Sequence, residues 1–363
     1  MTNIGSSNMI HRLRHQILED QRLVNCRPHL NAVLNSVEKE TRASSNTECL
    51  DFSCSRNPVM SHVIPDSFLR RLAGSGSLVA PHLESGKIGS FDSMSQKTKP
   101  VFAGYCTEHE KSLFPWEARG DLSSPQSAES QLMRVADAMW FEYRLRAKIL
   151  DLAARGISPS AIIDWSEKPS PEERRVLQTQ HESWLASGVE LSRAAEDMHA
   201  LRAALRRTFG LPNGGESTAV VGRVTIPASA GHFVLLADGA WIPDWYPLDG
   251  ASRRPAPFVI SVLHDRQGTR LCFASLEAAT APVLWMENRF NENSSAAMEF
   301  IIHWMRHGNF YWYMNADKWA GVDQDLREKL TVDLERGPYV AAAIYGNSTI
   351  ERHPILRFGN GWG

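Results

Sequence analysis

Two short pairs of metal-type ligands constrain this chain more than any other feature: Cys49 and Cys54, spaced C-x4-C in CLDFSC, and Cys106 and His109, spaced C-x-x-H in CTEH. Each pair can form one tight knuckle, and the long loop between them lets both knuckles meet at one ion, which is how tetrahedral zinc sites are assembled. Thr107 and Glu110 have capping-box spacing, so Cys106 is expected just before a helix and His109 in its first turn. The alternative is a set of unrelated buried thiols with a surface histidine. A second C-x-x-H, Cys26-Arg-Pro-His29, shows how little the motif specifies alone. Cys26 and Cys272 read as ordinary buried residues.

A knuckle followed by a ligand on a helix start is the geometry of a treble clef. The distribution of residue types agrees with a metal at the front of the chain. Four of the five cysteines precede residue 107, whereas seven of the eleven tryptophans follow residue 240, so the front is expected to be held by an ion and the back by aromatic packing. The 363 residues are 43% hydrophobic, with 39 basic against 41 acidic side chains and a net charge of -2. That is enough for two domains with real cores, and too balanced for a disordered chain or one that coats nucleic acid. Five cysteines cannot form a disulfide framework in a chain this long, and the N-terminus lacks an apolar run followed by a small-residue cleavage site. The expectation is a reduced cytoplasmic protein. No apolar run approaches the roughly 20 residues of a membrane span.

The fold class expected is α+β in three parts: residues 1–120, a treble-clef-like zinc domain with N-terminal helices; 121–212, a long helical hairpin or coiled-coil-like connector; and 213–363, an α+β domain. Ile10, Leu13 and Ile17, then Leu30, Val33, Leu34 and Val37, recur at helical spacing. A short helix is expected from Pro65-Asp66-Ser67 through Leu72, followed by a hairpin or irregular loop over 74–100. A long helix spans 126–155, and a second begins at Ser170-Pro171-Glu172-Glu173 with Leu177, Trp184, Leu191, Met198 and Leu205 every seven residues. Beyond Gly215, strand-type runs are 220–226, 233–236, 258–263 and 271–276, with a helix over 295–307.

The succession C-x4-C, SHVIP at 61–65 and FAGYCTEHEKSLFPWE at 102–117 resembles a group of largely uncharacterised bacterial proteins. More distantly it is similar to the zinc-stabilised HNH (His-Asn-His) endonucleases. That resemblance implies structural Zn²⁺ on Cys49, Cys54, Cys106 and His109, with His62 as the base that activates water against a phosphodiester. It also implies a catalytic cation, Mg²⁺ or Mn²⁺, a DNA or RNA substrate, and a defence or mobile-element context. The departures are specific. Ser61 stands where those enzymes place a metal-binding Asp or His, the later helix offers Glu108, Glu110 or Glu117 in place of a second histidine, and 44 positions separate His62 from Cys106. Glu110 is the carboxylate proposed to act with His62.

Two function classes therefore stay open: a metal-dependent HNH-like nuclease using His62 and Glu110, and a non-catalytic zinc-stabilised interaction or scaffold protein with a partner on the C-terminal domain. Arg202, Arg206, Arg207 and the pair Arg253-Arg254 are candidate phosphate contacts, with ordinary helix-end and loop cations as the alternative. His303 and His307 are four apart on one predicted helix, more often packing or surface residues than ligands. The aromatic run from Phe310 to Tyr313, with Trp319, is expected to be core rather than a base-stacking surface. No nucleotide-binding glycine motif, serine elbow or repeat is present.

Overall fold

The computed structural model describes residues 4–43, 48–51, 53–82, 90–94, 101–117, 124–211, 214–227, 235–241, 256–265, 268–307, 311–321, 324–325 and 327–328. In chain order these include α1 (Ile4–Leu18), α2 (Arg27–Ala43), β1 (Met60–His62), α3 (Asp66–Ala73), β2 (Leu78–His82), β3 (Ser90–Met94), β4 (Val101–Ala103) and α4 (Thr107–Leu113). There follow α5 (Pro125–Gly156), α6 (Pro159–Ile163), α7 (Pro171–Thr208), β5 (Ala219–Pro227), β6 (Leu235–Trp241), β7 (Phe258–Asp265) and β8 (Gly268–Leu276). The last are α8 (Thr280–Glu292), α9 (Ser294–His307), β9 (Tyr311–Asn315) and α10 (Ala316–Ala320).

The two long helices form the spine. Ser170 caps α7 by accepting from the Glu173 amide at 3.2 Å while the Glu173 carboxylate accepts from the Ser170 amide at 2.8 Å, with Pro171 in the first turn. Contacts of α5 with α7 run in opposite directions along the two helices: Asp137 meets Arg202, Ala147 and Leu150 lie beside Gly188, and the Ala154 carbonyl meets His181. The pair is thus an antiparallel hairpin. Every seventh residue of α7 from Leu177 to Leu205 is buried, as are Leu132, Val135, Met139 and Tyr143 of α5, so the apolar periodicity of both helices marks a true seam.

A seven-stranded antiparallel sheet, in the order β3-β2-β9-β6-β7-β8-β5, lies across this spine. Strand β7 reads as a continuous apolar run because it is covered on both faces. Phe258, Ile260 and Val262 point to one side, where they pack with Val283, Met286 and Phe290 of α8 and Phe300 and Trp304 of α9. Val259 and Leu263 point to the other and join the core that contains α1, α2, α5 and α7. The aromatic run contains the interior strand β9, with Trp312, Tyr313 and Met314 at most 4% exposed, which explains its composition as core. Helix α8 has no counterpart in the sequence expectations.

The hairpin expected after α3 forms as β2 and β3, but it has a further role that local sequence did not signal. β2 hydrogen bonds to β9, with Leu78 opposite Asn315 and Val79 opposite Met314. The Asn315 amide also donates to the Leu72 carbonyl at 3.1 Å and the Ala73 carbonyl at 3.3 Å. The sheet therefore crosses the sequence division at residue 120, and the spine packs directly on it. No helix among the described residues is long and apolar enough to cross a membrane.

Candidate metal centre

Cys49 and Cys54 lie on a tight turn closed by backbone bonds from the Cys49 amide to the Arg56 carbonyl at 2.8 Å and from the Cys54 amide to the Asp51 carbonyl at 3.0 Å. Cys106 is the N-cap residue of α4, and His109 is in the first turn, the placement its spacing predicts. The ligand atoms of Cys49, Cys54, Cys106 and His109 lie within 4.8 Å of one another, an arrangement that can hold a metal ion. The shorter separations are close to those of a tetrahedral zinc ion, and the whole group spans no more than 4.8 Å. Ligand bonds of about 2.0–2.3 Å place neighbouring ligand atoms roughly 3.5–3.8 Å apart. The Cys54 and Cys106 sulfurs are 3.9 Å apart, and His109 Nδ1 is 3.6 Å from Cys106 Sγ and 3.3 Å from Cys49 Sγ.

The surroundings suit thiolates. The Cys106 amide donates to Cys49 Sγ at 3.1 Å, and the Arg56 guanidinium donates to Cys54 Sγ at 3.4 Å while pairing with Glu108. Arg56 draws the Cys54 thiol below its ordinary pKa. Burial instead pushes Cys49 up to about 11, so an ion bound there must displace a proton from it. The other C-x-x-H pair does not assemble. Cys26 is buried, and His29 stacks on Trp165 with ring centroids 4.8 Å apart and its Nε2 3.3 Å from Ser166 Oγ.

Strands β1 and β4 pair antiparallel, Met60 to Ala103 through His62 to Val101, and α4 follows β4 after a short turn. The long separation of His62 from Cys106 is thus a connection between two paired strands, and it carries α3, β2 and β3. Gly104 makes the close turn out of β4 feasible. A Cβ there would lie 2.5 Å from Ser61 Oγ and 2.8 Å from Ser61 Cβ. Ser61 is 1% exposed and held by its own bonds, so it cannot yield. Gly104→Ala is expected to destabilise the protein by about 1–3 kcal/mol, read as a shift of the urea midpoint at unchanged slope; an unshifted midpoint would show that the hairpin yields freely.

The capping box expected of Thr107 and Glu110 does not form. Thr107 is the first helical residue, and Cys106 occupies the cap with no side-chain bond. Glu110 is drawn elsewhere. Its Oε2 accepts from Ser61 Oγ at 2.8 Å and its Oε1 from Arg134 Nη2 at 3.0 Å, and the same Arg134 nitrogen reaches Glu117 at 3.0 Å. Arg134, on α5, is fully buried with its guanidinium 3.7 Å over the Phe114 ring. Burial raises the Glu110 carboxyl above the usual carboxylate range, outweighing the opposite pull of Arg134 and Ser61. Successive strand residues face opposite sides, so His62, next to Ser61, points away from the face that carries Glu110. His62 is partly exposed.

A second set of buried polar groups ties the knuckle to the spine. Arg202 pairs with Asp137 and donates to the Leu50 carbonyl at 3.1 Å, and Arg206 donates to Asp51 at 3.1 Å and to the Leu50 carbonyl at 3.3 Å. Tyr105, adjacent to the candidate ligand Cys106, donates its hydroxyl to Asp137. Arg202 and Arg206 are therefore structural clamps, committed inside the protein and inaccessible to phosphate. Arg207 is exposed and bonds the Gly215 carbonyl at 3.1 Å. Sequence reasoning missed Arg134, Asp137 and Tyr105, whose partners lie 17 to 65 positions away. For Arg134 and Asp137 the sequence signal was polar residues on the apolar face of a predicted helix; Tyr105 carried none. Arg253 and Arg254, and the side chains of His303 and His307, lie outside the described residues. No family model, curated protein or solved structure matches the chain, so the likeness to HNH proteins rests on the motifs alone.

Proposed function

We propose that Cys49, Cys54, Cys106 and His109 bind one structural zinc ion, and that the protein is a non-catalytic, zinc-stabilised interaction protein of the reduced cytoplasm. One observation carries the choice against catalysis: Glu110, the carboxylate needed beside His62, is bonded to Ser61 and Arg134 on the opposite face of β1. Phosphodiester hydrolysis needs a base and a divalent cation acting at one phosphate, and the cation needs free oxygen ligands. Glu108 and Glu117 are likewise engaged, by Arg56 and Arg134. A protein partner belongs to this function; residues 213–363 are the contact expected from the sequence.

Purified protein is expected to carry one zinc per chain and to leave plasmid and RNA intact in Mg²⁺ or Mn²⁺. Cleavage that disappears in His62→Ala would overturn the non-catalytic reading. The competing function is an HNH-like endonuclease with His62 as base, Mg²⁺ or Mn²⁺ as catalytic cation and DNA or RNA as substrate. It is favoured by the order of elements after the knuckle, β1, β4 and α4, which is the ββα order of that group. A role in defence or on a mobile element would follow from that reading alone.

A further inference from the structure

The surface with the physical character of a docking site lies on the spine. Between α5 and α7 runs a groove of about 910 Å³, bounded by Trp140 to Arg155 on one helix and Leu185 to His199 on the other. At 1.5 Å per residue it follows about 22 Å of each helix, the length of a third helix of about 15 residues. We propose that this groove binds an acidic amphipathic helix of a partner protein, which rests on reading the chain as an interaction protein.

The floor is apolar. Leu185 and Val189, one turn apart on α7, are 39% and 50% exposed, although the seam residues Trp184 and Leu191 beside them are 3% exposed. Toward the other end of the groove Trp140, beside His199, has the Arg144 guanidinium 4.5 Å and the Arg202 guanidinium 4.3 Å from its ring. A partly buried tryptophan flanked by arginine is the kind of residue that anchors interfaces. Gly188 is buried where α7 meets α5: a Cβ there would lie 3.6 Å from the Ala147 carbonyl oxygen and 3.7 Å from Leu150 Cβ.

The rim decides what kind of helix fits. Arg144, Lys148, Arg155 and Arg193 line the groove; Arg155 pairs with Asp151 and Arg193 with Glu190, so the excess of positive charge comes from Arg144 and Lys148 against Glu196, on a chain whose net charge is -2. Acidic side chains flanking an aliphatic stripe would complement both features at once. Nucleic acid would meet the arginines but leave the aliphatic floor wet. A second copy of the chain related by two-fold symmetry would set this cationic rim against itself.

The test uses the full chain and three fluorescent helical peptides of about 15 residues. One has leucine at i, i+4, i+7 and i+11 with flanking glutamates, one has lysine for every glutamate, and one has serine for every leucine. The acidic amphipathic peptide is expected to bind at least about tenfold more tightly than either control. Val189→Asp should weaken it by a similar factor. The double variant Arg144→Glu, Lys148→Glu should weaken it too and restore binding of the lysine peptide. All three positions are exposed, and circular dichroism checks that the helices persist. Equal affinity for the three peptides, unchanged binding by the variants, displacement of the peptide by a double-stranded oligonucleotide, or a dimer that Val189→Asp dissociates would each overturn the proposal. A His62-dependent nuclease would overturn the non-catalytic reading in a separate assay, without altering the peptide affinities.

Discussion

Removing one ligand of the metal cluster is expected to have the largest effect of any single substitution. Cys106→Ser should lower metal content well below one zinc per chain and reduce stability by on the order of 5 kcal/mol or more, since metal affinity in such sites is folding free energy. Besides an ion, the turn from Cys49 to Cys54 is held by hydrogen bonds alone, among them two backbone bonds closing it, the Leu50 amide to the Gly104 carbonyl, Ser53 to Asp51, and the arginine bonds to Leu50 and Asp51. A chelator should act in the same direction on the wild-type protein. Cys26→Ser supplies the control, because Cys26 is a buried thiol outside the cluster and should leave metal content unchanged. Binding should also release protons, because burial holds Cys49 mostly protonated at neutral pH until an ion displaces its proton. As pH falls, protons compete with the ion for the sulfurs, so metal retention should decline with acid. A chain that contains no zinc after purification under reducing conditions, and melts identically with chelator, would sink the metal centre.

The second large effect is expected from Asp137→Ala. Asp137 is fully buried, pairs with Arg202 and accepts from the Tyr105 hydroxyl, so its loss strands a buried guanidinium and a buried phenol. Breaking a buried pair from one side costs about 3–5 kcal/mol, because the remaining charge has lost its compensation. The double replacement Asp137→Leu, Arg202→Met should recover much of that stability if only the pair matters. It should recover less if the Arg202 bond to the Leu50 carbonyl is what holds the knuckle on α7. Metal content separates the two contributions: destabilisation with metal retained means the pair acts within the spine, and metal loss means it supports the knuckle. A single Asp137→Ala protein as stable as wild type would show that the ionic link contributes nothing net.

Much of the fold was legible because its signals are local. The apolar stripes of α1, α2, α5 and α7 follow the helical period, and Ser170 with Pro171 and Glu173 announces the start of α7. The C-x4-C and C-x-x-H pairs are local in the same sense, since each knuckle is made by a few successive residues. Glu110 shows where this stops. Its spacing from Thr107 matches a capping box, but Ser61 and Arg134, 49 and 24 positions away, offer a hydroxyl and a buried cation that outcompete a backbone amide. Helix α8 was missed because its neighbours, one face of β7 and the helix α9, are known only once the chain is folded.

The sequence by itself determined which Cys and His residues form the group that could hold a metal, which helices are long, and that the back of the chain packs through aromatic side chains, since composition and period follow from the chemistry of a single segment. Only the tertiary structure decided that β1 and β4 pair across a long connection, that β2 extends the sheet of the distant β9, and that Arg202 and Arg206 clamp the knuckle rather than face solvent. Those features depend on which buried donors find acceptors far along the chain. A buried charge without its partner is too costly to persist, so the fold as a whole selects the pairs.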